Sequence, residues 1–219
     1  MKRVRDNSLT IVLVSLTLAA VIGMLLTGWS VYNEELTQHG GIPLPLGAYA
    51  SSGHFLSAIF ENWESEFLQM SAYVMLTAML FQRGSAESED PDEPAAQAED
   101  PAQRCDDRSA PLPVRIGGLA ATLYSYSLGI ALVLLFVVSF ILHLHYSAIA
   151  ANAEALRHGV PAKPVFEHLV SAQFWFESFQ NWQSEFLSTA VIAVLSIFLR
   201  FRGSPESKSV AARHSETGS

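Results

Sequence analysis

The amino-acid sequence predicts an all-α membrane protein with four transmembrane helices. Half of its 219 residues are hydrophobic, only 16% are charged, and the apolar residues are gathered into four separate blocks. An average soluble domain carries about 25% charged residues, well above the fraction in this chain. We therefore expect the four blocks to cross a lipid bilayer as helices, which makes the bilayer the first predicted partner of the chain.

The first and third blocks, residues 9–29 and 117–146, are long enough to span the membrane on their own. A bilayer core of about 30 Å is crossed by roughly 20 helical residues. A cleaved signal peptide would also begin with basic residues, but its apolar region is shorter and a small-residue cleavage site follows it. We interpret residues 9–29 as a permanent span.

The second and fourth blocks are short and need a polar turn to reach spanning length. If their helices start at Asn62 and Asn181, the predicted spans cover residues 62–82 and 181–201. Lysine and arginine residues then indicate the orientation, because cytoplasmic segments are enriched in them. Both termini and the central linker carry several, whereas residues 30–61 carry none, so both termini are predicted to be cytoplasmic.

The central linker, residues 84–116, carries nine acidic residues, three arginines and five prolines. A segment of this composition buries too little apolar surface to fold, so we predict that it is disordered and serves as a tether; docking of a basic partner is the alternative. The tail, residues 203–219, is polar and is also predicted to be disordered. The single cysteine, Cys105, lies in the linker, which excludes an internal disulfide.

The chain contains an internal repeat with a period of 119 residues. From position 33 to position 88, 21 of 56 residues are identical to the residue 119 positions later. The repeat predicts two tandem helical hairpins, residues 1–83 and 117–202. Because both begin on the same side of the membrane, a pseudo-two-fold axis along the membrane normal is expected to relate them.

The repeat is strongest in a nine-residue motif, "FENWESEFL" at residues 60–68 and "FQNWQSEFL" at residues 179–187. On a helix its aromatic residues form one stripe and its polar residues the opposite one. Two of the three glutamates of the first copy become glutamine in the second, and only the last is retained. The candidate polar or proton-binding residues are Asn62, Ser65, Glu66, Asn181, Ser184 and Glu185, with Trp63 and Trp182 as anchors at the membrane interface.

Two interpretations of this motif remain open. In the first, which we favour, the asparagine caps a helix, the glutamates complement the helix dipole and the tryptophan fixes the depth of the helix. In the second, Glu66 and Glu185 approach each other and share a proton or hold a cation.

A second pattern precedes the motif, where Glu35 and Glu154 are each followed four residues later by His39 and His158. On a helix this spacing places carboxylate and imidazole side by side, which suits a metal ion or a charged pair. A glycine follows each histidine, however, and a terminal histidine before glycine is an ordinary helix stop. We favour the helix stop and disfavour a metal site.

Several function classes lack their sequence motifs. The chain has no P-loop, no dinucleotide-binding glycine pattern, no His-Glu-x-x-His, no Gly-x-Ser-x-Gly and no basic patch for nucleic acid. We therefore predict no cofactor and no nucleic-acid partner, and we disfavour an enzyme. Whether the chain forms a homo-oligomer or binds another protein is left open.

The doubled Phe-x-Asn-Trp-x-Ser-Glu-Phe-Leu motif, followed by an apolar helix and by Arg-Gly-Ser, resembles an uncharacterised bacterial family of integral membrane proteins, known as a domain of unknown function. The resemblance implies a multi-pass protein of the bacterial cytoplasmic membrane and no particular activity. The favoured function is a non-enzymatic interaction or envelope-stress role. The alternative is a small transporter or proton-coupled channel using Glu66 and Glu185, and the third hypothesis is a metal-dependent enzyme at the outer membrane surface.

Overall fold

The computed structural model describes residues 2–92 and 100–218, and all regular structure in these residues is helical. Four long helices make up most of it: α2 (Ser8–Gln38), α4 (Gly53–Thr77), α7 (Ser127–Arg157) and α9 (Ala172–Phe198). The short helices are α1 (Lys2–Asp6), α3 (Leu46–Ala50), α5 (Leu112–Ile116), α6 (Gly118–Ser125) and α8 (Val165–Leu169), with one 3₁₀ turn at Pro101–Arg104. The middle of the predicted disordered linker, residues 93–99, lies outside the described residues.

Two of the long helices, α2 and α7, are long and apolar enough to cross a membrane. Each has 31 residues and an 18-residue window with a mean hydropathy of 2.6. The predicted all-helical fold is thus confirmed, and two membrane-spanning helices are supported by length and composition. The four-span arrangement stays a prediction, because the described parts of α4 and α9 are too polar to meet the same criterion.

The helices that carry the motif begin nine residues earlier than predicted. Asn62 and Asn181 lie inside continuous helices, so the predicted capping role of these asparagines is wrong. Serines supply the caps instead. The backbone N–H of Phe55 donates to Ser52 Oγ at 3.2 Å, and that of Phe174 donates to Ser171 Oγ at 3.3 Å. A serine oxygen that accepts from the third residue of the first turn is a standard helix N-cap.

The third predicted span, residues 117–146, is interrupted. The helix α6 ends at Ser125, Tyr126 is non-helical, and α7 continues from Ser127 for eleven residues beyond the predicted end of the span. Hydrophobicity alone predicted one uniform helix here, because an apolar run carries no signal for a local break in backbone geometry.

The predicted helix stops at His39 and His158 are confirmed. Gly40 and Gly159 adopt left-handed φ values of 72° and 71°, a conformation that glycine adopts without strain. After α2, the N–H of Gly41 donates to the carbonyl of Leu36 at 2.7 Å, and after α7 the N–H of Val160 donates to that of Ala155 at 2.8 Å. These bonds satisfy carbonyl groups that the helix ends would otherwise leave without a donor.

The loops after these stops are fixed by a pair of equivalent asparagines. Asn33 receives a hydrogen bond from the backbone N–H of Leu44 at 2.7 Å and returns one to its carbonyl at 2.9 Å. Asn152 makes the same two bonds with Lys163, at 2.8 and 2.9 Å. Because the two asparagines are 119 positions apart, both copies of the loop are closed by the same contact.

The described chain divides into two compact units. Unit 1 is Met1–Asn62 with Phe140–Trp175, and unit 2 is Trp63–Ser139 with Phe176–Ser219. Apart from glycine, the buried residues of the described chain comprise six apolar and fourteen polar side chains, while many large apolar side chains are exposed. A protein in water shows the opposite distribution, so this pattern agrees with a lipid environment around the exposed apolar surface.

The C-terminal tail is hydrogen-bonded to the turn that follows α4, within unit 2. The Lys208 side chain is buried, and its ammonium group donates to the backbone carbonyls of Gly84, Arg213, His214 and Glu216. Burial, followed by the nearby charge of Arg200, lowers the pKa of Lys208. Disorder of the tail stays a prediction, but the described residues 203–218 make specific contacts.

Candidate functional site

The buried part of the motif is its first copy, in the section of α4 that belongs to unit 2. Glu64 is 0% exposed and the adjacent Ser65 is 1% exposed. Gln69 and Ser71, further along the same helix, are also buried. Burial of a carboxyl group away from solvent costs free energy unless the group is hydrogen-bonded or protonated. Among the buried side chains of this region, Glu64 therefore has the strongest requirement for a hydrogen-bond donor or a proton.

The second copy of the motif supplies the hydrogen-bond donor for Glu64. The indole N–H of Trp182, on α9, donates to Glu64 Oε1 at 2.9 Å. The Trp182 ring contacts Phe136 and Phe179 edge-on, with ring centroids 6.5 and 5.4 Å apart. Because these aromatic contacts restrict the ring, the indole N–H is directed at the carboxylate. Trp182 therefore binds a polar group, whereas the sequence predicted only an interface anchor.

The two glutamates chosen from the sequence are less buried than Glu64. Glu66 is exposed and Glu185 is half-buried. Both belong to unit 2 and are close enough for the charge of Glu66 to act on Glu185. The structure thus gives the two carboxylates an electrostatic contact but not a shared enclosed site, and their proposed sharing of a proton stays a prediction.

The remaining motif residues make local helix contacts. The Asn62 amide donates to the carbonyl of Ala58 at 2.7 Å, and the Asn181 amide donates to that of Glu177 at 3.4 Å. Ser184 is exposed and donates to the carbonyl of Asn181 at 2.8 Å. Trp63 is 42% exposed. An exposed tryptophan is compatible with the predicted interface anchor.

A further polar contact joins α4 to α9 directly after the motif. The Gln69 amide donates to Thr189 Oγ1 at 2.5 Å. Sequence reasoning missed Glu64 and Gln69 because it gave weight to identity between the copies, and both positions differ between them. The available signal was the difference itself, since Glu64 and Gln69 correspond to Gln183 and Ser188.

The four outer candidates, which belong to unit 1, converge only in part. The rings of His39 and His158 meet edge-on with centroids 6.0 Å apart. His39 Nδ1 lies 2.9 Å from the backbone carbonyl oxygen of Glu35, while the Glu35 carboxylate lies 3.9 Å from the guanidinium group of Arg157. Glu154 is exposed. The histidines are thus neighbours, but Glu35 is directed to an arginine rather than to them.

The buried Tyr49 makes a polar contact with the exposed His54 close to this region of unit 1. Tyr49 is 1% exposed, and its hydroxyl lies 3.0 Å from His54 Nδ1. Burial raises the pKa of Tyr49. One hydrogen bond therefore joins the phenol hydroxyl to the imidazole.

The described residues contain no group of three or more His, Cys, Asp or Glu side chains that could hold a metal ion. A protein zinc site usually has at least three such ligands. The geometry therefore gives no support to the metal-dependent enzyme considered from the sequence.

Comparison with known proteins places the chain in a family. The profile described as Domain of unknown function (DUF6766) matches residues 1–219. The chain belongs to this family. The predicted resemblance to an uncharacterised family is thus confirmed. No curated protein and no solved structure matches this DUF6766 chain.

Membership in the DUF6766 family supplies no activity and no site residues. The function of this DUF6766 protein has to be inferred from its own geometry, in which a carboxyl group is enclosed and hydrogen-bonded beside an apolar exterior.

Proposed function

We propose that this chain is a small proton-coupled transporter or proton channel of the bacterial inner membrane. In this proposal α2, α4, the pair α6 and α7, and α9 form four spans, arranged as two parallel repeats with both termini in the cytoplasm. The arginines of the linker and tail support the orientation. A non-enzymatic interaction or envelope-stress role, which the sequence favoured, stays a prediction.

The observation that carries this proposal is the complete burial of Glu64 in a helix with an apolar exterior. An ionisable residue inside a membrane segment is costly, and such residues commonly mark ion pathways and proton relays. A helix cap or an interface anchor does not need a carboxyl group in this position. The second copy of the motif shows this directly, since Gln183 occupies the corresponding position.

Glu64 is the proposed proton carrier in this mechanism, and the surrounding polar side chains support it. Trp182 donates to the carboxylate and stabilises its charged form, while Ser65 and Gln69 extend the polar interior of unit 2 along α4. Serines are also common where membrane helices pack closely, so they alone do not indicate a pathway. Close helix packing does not explain why a glutamate and a glutamine are also buried on the same helix.

Glu66 and Glu185 have a different part in this mechanism. Both are partly accessible, and together they add two acidic side chains to unit 2. Such a charge attracts protons and cations toward an opening. We therefore expect these two glutamates to modulate the rate of transport rather than to be required for it.

Proton flux into proteoliposomes tests this function. Purified protein is reconstituted into vesicles that contain a pH-sensitive dye, and a potassium diffusion potential drives proton entry. We expect wild-type protein to acidify the lumen and Glu64→Gln to reduce the rate to that of protein-free vesicles. Glu66→Gln is the matched control, because it makes the same chemical change two residues away on an exposed side chain, and it should retain most of the flux.

Two outcomes would overturn the proposal. One is a wild-type flux equal to that of empty vesicles over a range of solutes added to complete a coupled cycle. The other is a Glu64→Gln variant that reconstitutes as well as wild type and transports protons at the same rate.

A further inference from the structure

One face of α9 carries a row of three polar side chains, Trp182, Thr189 and Ser196. Consecutive members are seven residues apart, and seven residues make close to two full turns of a helix, so the three side chains leave the helix in nearly the same direction. The row extends over about 21 Å along the helix axis. A bilayer core is about 30 Å thick, so the row covers most of the depth of a membrane span.

Each member of the row is hydrogen-bonded to a polar group of the first copy of the repeat. Trp182 donates to the carboxyl group of Glu64, and the side-chain amide of Gln69 donates to Thr189 Oγ1 at 2.5 Å. Glu64 and Gln69 are both buried. The first two members of the row therefore bind buried polar side chains of α4.

The third member, Ser196, meets the turn that follows α4. Its Oγ lies 3.0 Å from Ser85 Oγ and accepts a hydrogen bond from the backbone N–H of Ala86 at 3.1 Å. Ser85 is 0% exposed and Ser196 is 7% exposed. We call the three pairs, all within unit 2, the polar seam: Glu64 with Trp182, Gln69 with Thr189, and Ser85 with Ser196.

The hydroxyl groups that α9 contributes to the seam both accept and donate hydrogen bonds. Thr189 accepts from Gln69 and donates to the backbone carbonyl of Glu185 at 3.0 Å. Ser196 accepts from the turn and donates to the backbone carbonyl of Ala193 at 3.2 Å. A hydroxyl group has one hydrogen to donate and lone pairs that accept, so it can take up one proton and release another without a lasting change of charge. Such groups suit a proton path through a region where charge is costly.

Helix packing alone does not explain a hydroxyl at position 189. Polar contacts also hold membrane helices together, and both copies of a duplicated helix need such packing. The residue that corresponds to Thr189 in the first copy is Met70, which is apolar and 42% exposed. The seam is therefore specific to the face of α9 that meets Glu64.

The buried Glu64 has no direct contact with solvent, so a proton on its carboxyl group needs a path to water. In the proposed topology α4 runs from the outer to the cytoplasmic side, which places Ser85 and Ser196 at the cytoplasmic end of the seam. We propose that the polar seam is the path by which protons pass between Glu64 and the cytoplasm, with Thr189 and Ser196 as positioning residues for water molecules along it. This inference rests on the proposed role of Glu64 and adds the path that serves it.

Water molecules complete the path, because neighbouring pairs of the seam are about 10 Å apart along α9. The carboxyl group of Glu64 gives its proton to the nearest water molecule and becomes a carboxylate, to which Trp182 donates. Each water molecule or hydroxyl along the seam accepts one proton and releases another, and the last proton enters cytoplasmic water. Glu64 returns to its neutral form when it accepts a proton from the outer side.

Removal of one seam hydroxyl tests the path in the proteoliposome assay. We expect Ser196→Ala to reduce the proton flux about tenfold, less than the loss of a general acid or base, because water replaces part of the lost hydroxyl. Ser188→Ala is the matched control and should keep the wild-type flux. It makes the same change on the same helix, at an exposed hydroxyl that donates to the backbone carbonyl of Glu185.

Thr189 permits a comparison of two substitutions at one position. Thr189→Val keeps the shape of the side chain without the hydroxyl, and it should reduce the flux by a similar factor. Thr189→Ser keeps the hydroxyl without the methyl group, and it should retain most of the flux. A role in packing predicts the opposite order, because serine leaves a small cavity and valine does not.

Access of water to the seam is measured without reference to flux. In a Cys105→Ser background, Thr189→Cys and Val194→Cys are treated in proteoliposomes with silver ions, which react with ionised thiols in water. The thiols left unreacted are then measured after unfolding. We expect the cysteine at position 189 to react and the one at position 194 to be protected by lipid, because Val194 is 51% exposed on the apolar exterior at a similar depth.

Two results would overturn the path and leave the proposed function standing. One is a wild-type flux that depends on Glu64 while Ser196→Ala and Thr189→Val transport protons at the wild-type rate. The other is a Thr189→Cys variant that is protected from silver as well as Val194→Cys, which would show a dry seam that only holds the helices together. Absence of flux in wild type would overturn the proposed function, and this path with it.

Discussion

The two copies of the nine-residue motif have nearly the same sequence and different surroundings. In the first copy Glu64 and Ser65 are buried, as is Gln69 directly after it. The residues 119 positions later, Gln183 and Ser184 in the second copy and Ser188 directly after it, are exposed. The tryptophans show the reverse pattern, because Trp63 is 42% exposed while Trp182 is less exposed and donates to Glu64.

The two copies therefore have nearly the same residues but make different contacts. The first copy contributes the enclosed carboxyl group, and the second contributes the indole that binds it. Glu64 is the most buried acidic residue of the first copy, and the second copy has the uncharged Gln183 at the corresponding position. Residues that are identical in the two copies indicate contacts that both helices make. Residues that differ indicate contacts that only one helix makes.

Removal of the Glu64 side chain is the strongest test of this division. Glu64→Ala leaves a cavity and removes the acceptor of the Trp182 indole, so we expect the free energy of unfolding to fall by about 3 kcal/mol. Reversible unfolding in detergent, followed by circular dichroism, measures the change. Glu66→Ala should stay within about 0.5 kcal/mol of wild type, because Glu66 is exposed. Equal losses in the two variants would show that the copies do not differ as described.

Loss of the indole donor should have a smaller effect. Trp182→Phe keeps an aromatic ring against Phe136 and Phe179 but removes the N–H that binds Glu64, and we expect a loss of about 1 kcal/mol, typical of hydrogen bonds between membrane helices. The same unfolding assay applies. Trp63→Phe is the matched control in the other copy and should cost less, and a larger loss in Trp63→Phe would reverse the assigned roles.

Local features of the fold follow from short sequence signals. The stops after His39 and His158 could be predicted because a single glycine in the left-handed conformation ends a helix wherever the helix lies. The starts at Gly53 and Ala172 could not be predicted from hydropathy, because the segments before the motif are less apolar than a span. The signal for these starts is the pair of capping serines, Ser52 and Ser171, which are identical in the two copies of the repeat.

The candidate site depends on information that one sequence does not contain. Helical periodicity places Ser65 and Glu66 on the same polar stripe, yet the structure buries the first and exposes the second. Which part of a stripe becomes enclosed is decided by the neighbouring helices and their rotation. The contact between Glu64 and Trp182 joins residues 118 positions apart, which no local pattern can indicate.

The most direct test of the difference between the copies is the accessibility of one serine in each. Cys105 is the only cysteine and is exposed, so Cys105→Ser gives a cysteine-free background. In this background Ser65→Cys and Ser184→Cys are treated with a small maleimide in detergent, and labelling of the unfolded protein sets full reaction. We predict rapid labelling at position 184 and strong protection at position 65. Equal labelling of the two cysteines would contradict the account, because it would place both copies of the motif in the same environment.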